Sequence, residues 1–169
     1  MGVPGSADET AAAQIRIMRW WDVPQVHDIE THSFPDTAWS IETFWAELAG
    51  VPETRRYWVA EVAGSVVGYA GVMVVGSETD VQTIAVTPEH RGTGLGAALL
   101  AQLIEEALRR ECRHVMLEVA ADNEAALRLY ERHGFTRLAK RSNYYGRGRD
   151  ALVMRARLTP AHSVGDSDA

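Results

Sequence analysis

Two side chains in the second half of the sequence have types and positions that could support proton transfer. The first is Glu118, which interrupts the short apolar run V-M-L-E-V, where a carboxylate is unexpected. Burial there would favour its neutral form and would make it a general base that works near neutral pH. The alternative is a glutamate at a strand end whose charge a neighbouring helix or an arginine satisfies.

The second side chain is Tyr130, which follows Asn123 by seven residues. On a helix this spacing places both residues on one face, two turns apart. A phenol has a pKa near ~10, so it keeps its proton at neutral pH and can act as a general acid. The alternative is a core aromatic whose hydroxyl lies at the rim. Asn123 is itself a candidate helix cap, and a cap can also contact a ligand.

A glycine-rich turn, R-G-T-G-L-G, lies upstream at residues 91–96, between an apolar strand and a long apolar helix. The start of a helix presents free N–H groups and the positive end of the helix dipole, which together bind anions. Glycines let a phosphate approach the backbone closely. The turn lacks the Gly-Lys-Ser/Thr of a Walker loop, and its third glycine comes too early for a dinucleotide fingerprint. We therefore interpret it as a pyrophosphate site, with an ordinary tight turn as the alternative.

The elements that must position these residues follow the order β-α-α-β-β-β-α-β-α-β-β, which predicts an α/β fold with a mixed sheet. We predict strands at 14–19, 57–62, 65–75, from 81, 113–119, 135–139 and 151–157. Helices are predicted at 23–31, 41–49, 94–111 and from 122 or 123 to about 133. The strands on either side of the third helix should be parallel, with a ligand site at their carboxyl ends.

Three local details accompany these predictions. Asp22 and Ser40 are expected to cap the first two helices. In the third helix a narrow polar stripe is predicted, with an ion pair between Glu105 and Arg109. The stripe consists of Gln102, Glu105, Glu106 and Arg109.

The totals indicate one ordinary globular domain of 169 residues. We place it at 14–158, between mobile or disordered tails at 1–13 and 159–169. The formal net charge of −6 argues against general nucleic-acid binding and favours a positively charged substrate, or else merely aids solubility. The single cysteine, Cys112, excludes an internal disulfide. With no secretion signal or membrane-length apolar run, we expect a cytoplasmic protein. His27, His32 and Cys112 lack metal-ligand spacing, and no metal is expected.

Longer stretches of the chain resemble a known family. The run I-A-V-T-P-E-H-R-G-T-G-L-G-A-A-L-L is similar to the acetyl-CoA motif of the GCN5-related N-acetyltransferases (GNAT), whose core Arg/Gln-x-x-Gly-x-Gly/Ala is matched by Arg91, Gly94 and Gly96. The run L-E-V-A-A-D-N-E-A-A-L-R-L-Y-E-R-H-G-F resembles the second signature of that family. With the later Asn-Tyr-Tyr, the pattern is nearest to the RimI-type branch. The resemblance spans roughly residues 15–157, and it implies a central mixed, mostly antiparallel sheet with one splayed parallel strand pair, flanked by about four helices.

The resemblance also implies the chemistry, in which a neutral amine directly attacks acetyl-CoA, the co-substrate, in a ternary complex. Glu118 would be the base, and Tyr130 would protonate the departing thiolate. Asn123 would contact the pantetheine arm. The other implied cofactor contacts are Ile84, Ala85, Val86, Arg91, Gly92, Thr93, Gly94, Leu95, Gly96 and Ala97.

The acceptor side is implied by the RimI-type branch, whose members acetylate the N-terminal alanine of a small-subunit ribosomal protein. Phe34, Trp39, Tyr144 and Tyr145 would line a groove for a basic N-terminal peptide, or would instead pack a lid. Where the branch usually has F-P-W-S, this chain has F-P-D-T-A-W-S, which lengthens the acceptor loop. We expect a monomer or weak dimer that contacts neither nucleic acid nor membrane.

Two other functions fit the same scaffold. The first is a lysine or small-molecule amine acetyltransferase. The second is a non-catalytic acyl-CoA sensor, although a sensor would not require both Glu118 and Tyr130.

Overall fold

The computed structural model describes residues 12–159, and their elements follow the predicted order. The strands are β1 (Gln14–Ile17), β2 (Arg55–Val62), β3 (Ser65–Val75), β4 (Glu78–Val86), β5 (His114–Ala120), β6 (Thr136–Arg141) and β7 (Ala151–Arg157). The helices are α1 (Val23–Ser33), α2 (Ile41–Ala49), α3 (Leu95–Arg109) and α4 (Glu124–Arg132). The tails predicted at 1–13 and 159–169 lie, apart from residues 12, 13 and 159, outside the described range.

All seven strands join in one sheet, in the order β1-β2-β3-β4-β5-β7-β6. Neighbouring strands are antiparallel except β4 and β5, which are parallel and connected through α3. The predicted fold class, an α/β fold whose mixed sheet is mostly antiparallel and flanked by four helices, is therefore confirmed.

The parallel pair separates soon after it forms, as predicted. Three residue pairs join the two strands: Glu78 with His114, Thr79 with Val115, and Asp80 with Met116. Immediately afterwards a β-bulge at Gln82 shifts the register of β4 against β3. A bulge bends its strand and increases the local twist. Beyond Asp80, β4 therefore pairs with β3 along one edge and leaves its other edge open toward β5.

Each face of the sheet carries its own hydrophobic core. On one face α3 and α4 pack with alternate residues of β5, namely Val115, Leu117 and Val119. On the other face α1 and α2 cover Tyr57, Val59 and Tyr69. Because side chains alternate along a strand, Met116 and Glu118 point to the α1/α2 face. The strand therefore buries its apolar residues and presents its glutamate on the opposite side.

Local capping signals place two helix starts correctly. Ser40 Oγ accepts a hydrogen bond from the Thr43 N–H at 3.2 Å, and Asn123 Oδ1 accepts one from Ala126 at 3.2 Å. Gly134, with φ of +85°, follows the end of α4 in the left-handed conformation that suits glycine. These caps fix where α2 and α4 begin, and the second of them lies beside the candidate site.

The polar stripe predicted for α3 is wrong at Glu106, whose side chain is only 3% exposed. Arg110 Nε donates to Glu106 Oε1 at 2.6 Å, and the same guanidinium binds the Pro52 and Glu53 carbonyls. Arg109 pairs with Glu106 at 2.5 Å and not with the predicted Glu105. Glu106 is buried because the segment at residues 50–54 covers this end of the helix.

No helix within residues 12–159 is long and apolar enough to cross a bilayer.

The predicted cap at Asp22 is also wrong, because its carboxylate serves a different partner. Arg16 donates to both carboxylate oxygens at 2.7 and 2.8 Å, and Arg19 N–H donates at 2.7 Å. Arg16 also pairs with Glu61 at 2.7 Å, so the cluster ties β1 and β2 to the start of α1. Burial alone would raise the pKa of Asp22, but the hydrogen bonds from Arg16 and Arg19 hold it below its usual value.

Asp22→Asn is expected to lower the free energy of unfolding by about 2–3 kcal/mol, because Arg16 would lose a buried anionic partner. Folding lowers the pKa of Asp22. Its contribution to the free energy of unfolding is therefore complete above its pKa in the unfolded state, about 3.9, and disappears as pH falls through its lower pKa in the folded state. Urea unfolding at pH 7 and at pH 3 should show the difference shrinking in acid. Asp28→Asn, on the exposed side of α1, is the matched control.

Candidate active site

An open cleft of about 920 Å³ lies where β4 and β5 separate. It is bounded by those strands, the end of α1, the loop at 34–39, the start of α4 and the loop between β6 and β7. Eight of the predicted site residues line it: Ile84, Glu118, Asn123, Tyr130, Phe34, Trp39, Tyr144 and Tyr145. The other predicted cofactor contacts lie outside this lining: Ala85, Val86, Arg91, Gly92, Thr93, Gly94, Leu95, Gly96 and Ala97.

Glu118 lies in the cleft, but its predicted burial is wrong. Its side chain is 32% exposed, because strand alternation turns it away from the α3 core and into the open cleft. Arg141 Nη1 donates to Glu118 Oε1 at 2.5 Å, and the guanidinium lies 4.2 Å from the centre of the Tyr144 ring. The Glu118 carboxylate raises the pKa of the neighbouring Tyr144. Glu118 thus pairs with an arginine, as the alternative interpretation proposed, while it faces the space where a ligand would bind.

Tyr130 is buried in α4, with its ring packed 5.8 Å from that of Phe135. Burial, with a smaller contribution from Tyr145, raises the pKa of the Tyr130 hydroxyl. A raised pKa keeps the phenol protonated throughout the neutral range, so it can donate a proton but does not accept one. Tyr130 is therefore a core aromatic, and it also lines the cleft.

Asn123 combines its structural role with access to the cleft. Its Oδ1 caps α4 through Ala126, while the residue itself is exposed and lines the cleft. Because the cap uses the carbonyl oxygen, the side-chain NH₂ group is available to donate to a ligand.

The end of β4 presents backbone groups along the open side of the splay. Ile84, Ala85 and Val86 pair with Ala70, Tyr69 and Gly68 of β3, and no strand of the described range 12–159 pairs with their other edge. Ala85 and Val86 bury their side chains in the two cores, so backbone contact is what they can offer a ligand. The Arg91 side chain turns back onto this strand, and its Nε donates to the Val86 carbonyl at 3.0 Å.

The glycine turn holds a run of backbone donors. Gly92 and Gly94 have φ of +74° and +88°, a conformation that strains other residues, and Gly94 is the N-cap of α3. Within residues 12–159, the six N–H groups of residues 92–97 have no backbone or side-chain acceptor. Six free donors at the positive end of a 15-residue helix fit a pyrophosphate group. Leu95 anchors the turn, since its side chain lies in the α3 core.

The four predicted acceptor residues are aromatic, and all of them line the cleft. Phe34 and Trp39 are partly buried against the α1/α2 core, and Trp39 lies 5.4 Å from Phe44 between ring centres. Tyr144 and Tyr145 form an edge-on pair with ring centres 5.1 Å apart. Both groups of aromatic side chains line the same open cleft.

Sequence reasoning missed Glu30, which is buried in the cleft wall and 3% exposed. Its Oε1 accepts the Trp39 N–H at 3.0 Å, and its Oε2 accepts the Tyr69 hydroxyl. Burial, followed by the Glu30 charge, raises the pKa of Tyr69. Glu30 follows Val23 by seven residues, so it falls on the apolar face of α1, and that spacing could have identified it.

A helix start with free N–H groups, beside a cleft that contains a carboxylate and a phenol, fits a transferase whose co-substrate carries phosphate. The sequence model of the Acetyltransferase (GNAT) family matches residues 17–135. The chain belongs to the GNAT family of acetyltransferases, as the sequence resemblance predicted.

Relatives within the family share much of this sequence. The chain is 38% identical over 141 residues to the [ribosomal protein bS18]-alanine N-acetyltransferase of Escherichia coli K12, covering 79% of this chain and 89% of the relative. It is 38% identical over 140 residues to the N-alpha-acetyltransferase RimI of Mycobacterium tuberculosis, covering 79% and 85%. The crystal structure of the Escherichia coli ribosomal-protein-S18-alanine N-acetyltransferase superposes with a TM-score of 0.77 at 32% identity, over 94% of this chain and 99% of that one. These similarities support the predicted RimI-type branch.

Proposed function

We propose that this enzyme transfers the acetyl group of acetyl-CoA to the N-terminal alanine amine of a small-subunit ribosomal protein. The observation that carries the proposal is the convergence of Glu118 and Tyr130 in one cleft, at the splay beside the glycine turn. The name of the Escherichia coli relative supports the choice of acceptor. The name of the Mycobacterium tuberculosis relative supports acetylation of an α-amine.

The donor side fits acetyl-CoA. The free N–H groups of residues 92–97 would hold the pyrophosphate, and the open edge of β4 at residues 84–86 would pair with the pantetheine arm. Asn123 would donate to the same arm from the opposite wall. Arg91 would serve mainly by fixing the turn against Val86, since its Nε is committed to that carbonyl. Bound acetyl-CoA supplies an activated acyl thioester to the cleft.

The residues of the chain supply the proton transfers. Glu118 accepts a proton from the attacking amine, and Tyr130 donates one to the departing sulfur. Arg141 orients the Glu118 carboxylate, and burial keeps the Tyr130 hydroxyl protonated. Proton transfer by positioned side chains contributes about 10²–10⁴-fold to rate.

The acceptor side suits a small residue followed by a basic peptide. The aromatic side chains of Phe34, Trp39, Tyr144 and Tyr145 would pack around a small first residue. Carboxylates of Glu30, Asp80 and Glu118 line the same cleft and favour a cationic ligand. The acceptor loop includes the additional residues 36–38, and Asp36 lies 3.8 Å from Arg149 across the cleft mouth.

A set of matched peptides tests this proposal. A basic peptide that begins with alanine and lacks lysine should release thiol from acetyl-CoA, and the same peptide with a blocked α-amine should not. A third peptide with a blocked α-amine and a free lysine should also be inert. Turnover of the third peptide would identify a lysine acetyltransferase, and turnover of simple amines alone would identify a small-molecule enzyme. Absence of thiol release with every amine would leave the acyl-CoA sensor.

We further propose that residues 14–158 form the complete acetyltransferase domain, which contains the matched range 17–135. The enzyme would act in the cytoplasm as a monomer or weak dimer, and would reach its substrate through the protein N-terminus without binding nucleic acid. The net charge of −6 supports the absence of nucleic-acid binding, because an acidic protein is repelled by the phosphate backbone.

A further inference from the structure

We propose that Asp80 is a second proton acceptor, which takes the first of the two protons that the acceptor amine must lose. This inference rests on the proposed function, because it concerns the same cleft and an amine substrate. It gives the two carboxylates different tasks: Asp80 converts the incoming ammonium to an amine, and Glu118 removes the remaining proton as the amide forms.

The position of Asp80 carries the inference. It is the last residue of β4 that pairs with β5, facing Met116 exactly two residues before Glu118 on that strand. Side chains two residues apart on a strand share a face, so Asp80 and Glu118 both point to the α1/α2 side. Both line the cleft, at the point where the strands begin to separate. An acceptor entering from the aromatic groove meets both carboxylates.

The two carboxylates differ in how they are engaged. Glu118 is bound by Arg141 at 2.5 Å. Asp80 is half-buried, and among residues 12–159 it makes no side-chain hydrogen bond or ion pair. Burial, with the charges of Glu78 and Glu118, raises the pKa of Asp80. Asp80 is therefore the carboxylate of the pair that has no partner among the described residues, and it binds a proton more readily than Glu118, which must first give up its contact with Arg141.

The charged groups around Asp80 come from several elements. Glu78 lies on its own strand and pairs with His114 of β5. Glu118 faces Asp80 from β5, and Glu30 of α1 lies in the cleft wall. Arg141, Tyr144, Tyr145 and Arg149 approach from β6 and the following loop. The arginines in this set are engaged by Glu118 and by the carboxylates of Asp36 and Asp122.

The proton balance is simple. An α-ammonium has a pKa of about 7.7–8.0, so only about 3–6% of the acceptor is neutral at pH 6.5. One N–H bond of the ammonium breaks, an O–H bond forms on Asp80, and the carboxylate becomes a neutral acid. The nitrogen lone pair is then free to attack. As the C–N bond forms, the second N–H proton passes to Glu118. One of the two protons then returns through water to the Tyr130 phenolate, which has protonated the departing sulfur, and the other is released to water through the open cleft.

The experiment compares kcat/KM of the wild type and Asp80→Asn with an alanine peptide between pH 6 and pH 9.5. We expect a loss of about tenfold at pH 6.5 that shrinks to within about twofold at pH 9.5, where water already supplies the neutral amine. A peptide whose first residue is trifluoroalanine, with a much less basic amine, should remove most of the loss at pH 6.5. Glu118→Gln should instead lose activity at every pH. If the Asn variant unfolds, Asp80→Ser gives the same comparison.

The matched control is Asp122→Asn, which removes an exposed carboxylate near the cleft mouth that lies 3.7 Å from Arg149. It should leave the pH profile unchanged. A loss in Asp80→Asn that is equal at all pH values, or no loss, or the same profile in the control, would overturn the assignment. Wild-type turnover of the alanine peptide tests the proposed function separately. If the wild type prefers another amine, the same pH comparison with that amine still tests Asp80.

Discussion

Glu118→Gln is expected to lower kcat for an alanine peptide by at least about 100-fold, because the amide cannot accept the proton of the attacking nitrogen. The side chain keeps its size, and its amide oxygen can still accept a hydrogen bond from Arg141. KM for acetyl-CoA should therefore change little, since the pyrophosphate site at residues 92–97 is untouched. Initial rates of thiol release at saturating acetyl-CoA provide the measurement.

The chain contains a matched control for this variant. Glu131 is an exposed glutamate that pairs with Arg137 at 3.2 Å, much as Glu118 pairs with Arg141, but it lies outside the cleft lining. Glu131→Gln should keep full activity. A fully active Glu118→Gln would show that the base is another group. Equal losses of activity in both variants would show that the loss comes from the changed net charge of the protein and not from a specific role of Glu118.

Tyr130→Phe is expected to lower kcat by about 100-fold while leaving the free energy of unfolding within about 1 kcal/mol of the wild type. The ring would keep its packing on Phe135, and the hydroxyl accepts or donates no hydrogen bond within residues 12–159 that the change would remove. Only the proton donor is lost. Thiol release and urea unfolding on the same preparation measure the two quantities.

Tyr57→Phe should show the opposite pattern. The Tyr57 hydroxyl donates to Glu47 at 2.6 Å in a buried position outside the cleft, so its loss should cost about 1–3 kcal/mol of stability and leave kcat unchanged. A Tyr130→Phe variant that is unstable yet fully active per folded molecule would refute the role of Tyr130 as acid and reduce it to a core aromatic.

Features that depend on neighbouring residues could be predicted from the sequence. The caps at Ser40 and Asn123, the stop at Gly134 and the glycine turn each follow from a few adjacent residue types. The start of β4 was predicted three residues late, because Gly76 and Ser77 suffice for the turn and Glu78 already pairs with Val75. The family resemblance further predicted that the two parallel strands separate and that Glu118 and Tyr130 belong to the same site.

Features that depend on distant residues could not be predicted. The engagement of Glu118 by Arg141 joins residues 23 positions apart, and that of Glu30 by Tyr69 spans 39. Neither distance leaves a periodic signal in the sequence. The bulge at Gln82 likewise reflects how β3 and β4 twist together. The exposure of Glu118 followed from strand alternation, but only once the apolar face of β5 was known.

The three-pair ladder between β4 and β5 also ties the co-substrate to the integrity of the molecule. One half of the sheet, β1 to β4, meets the other half, β5 to β7, through a short ladder at the start of β4 and β5, beyond which the two strands separate. A ligand whose arm lies along the open edge of β4 would form hydrogen bonds with the backbone there and would oppose further separation of the two halves of the sheet. A ligand that binds only the folded state adds to its stability in proportion to the logarithm of its concentration. Bound acetyl-CoA would therefore stabilise the fold as well as supply the acyl group.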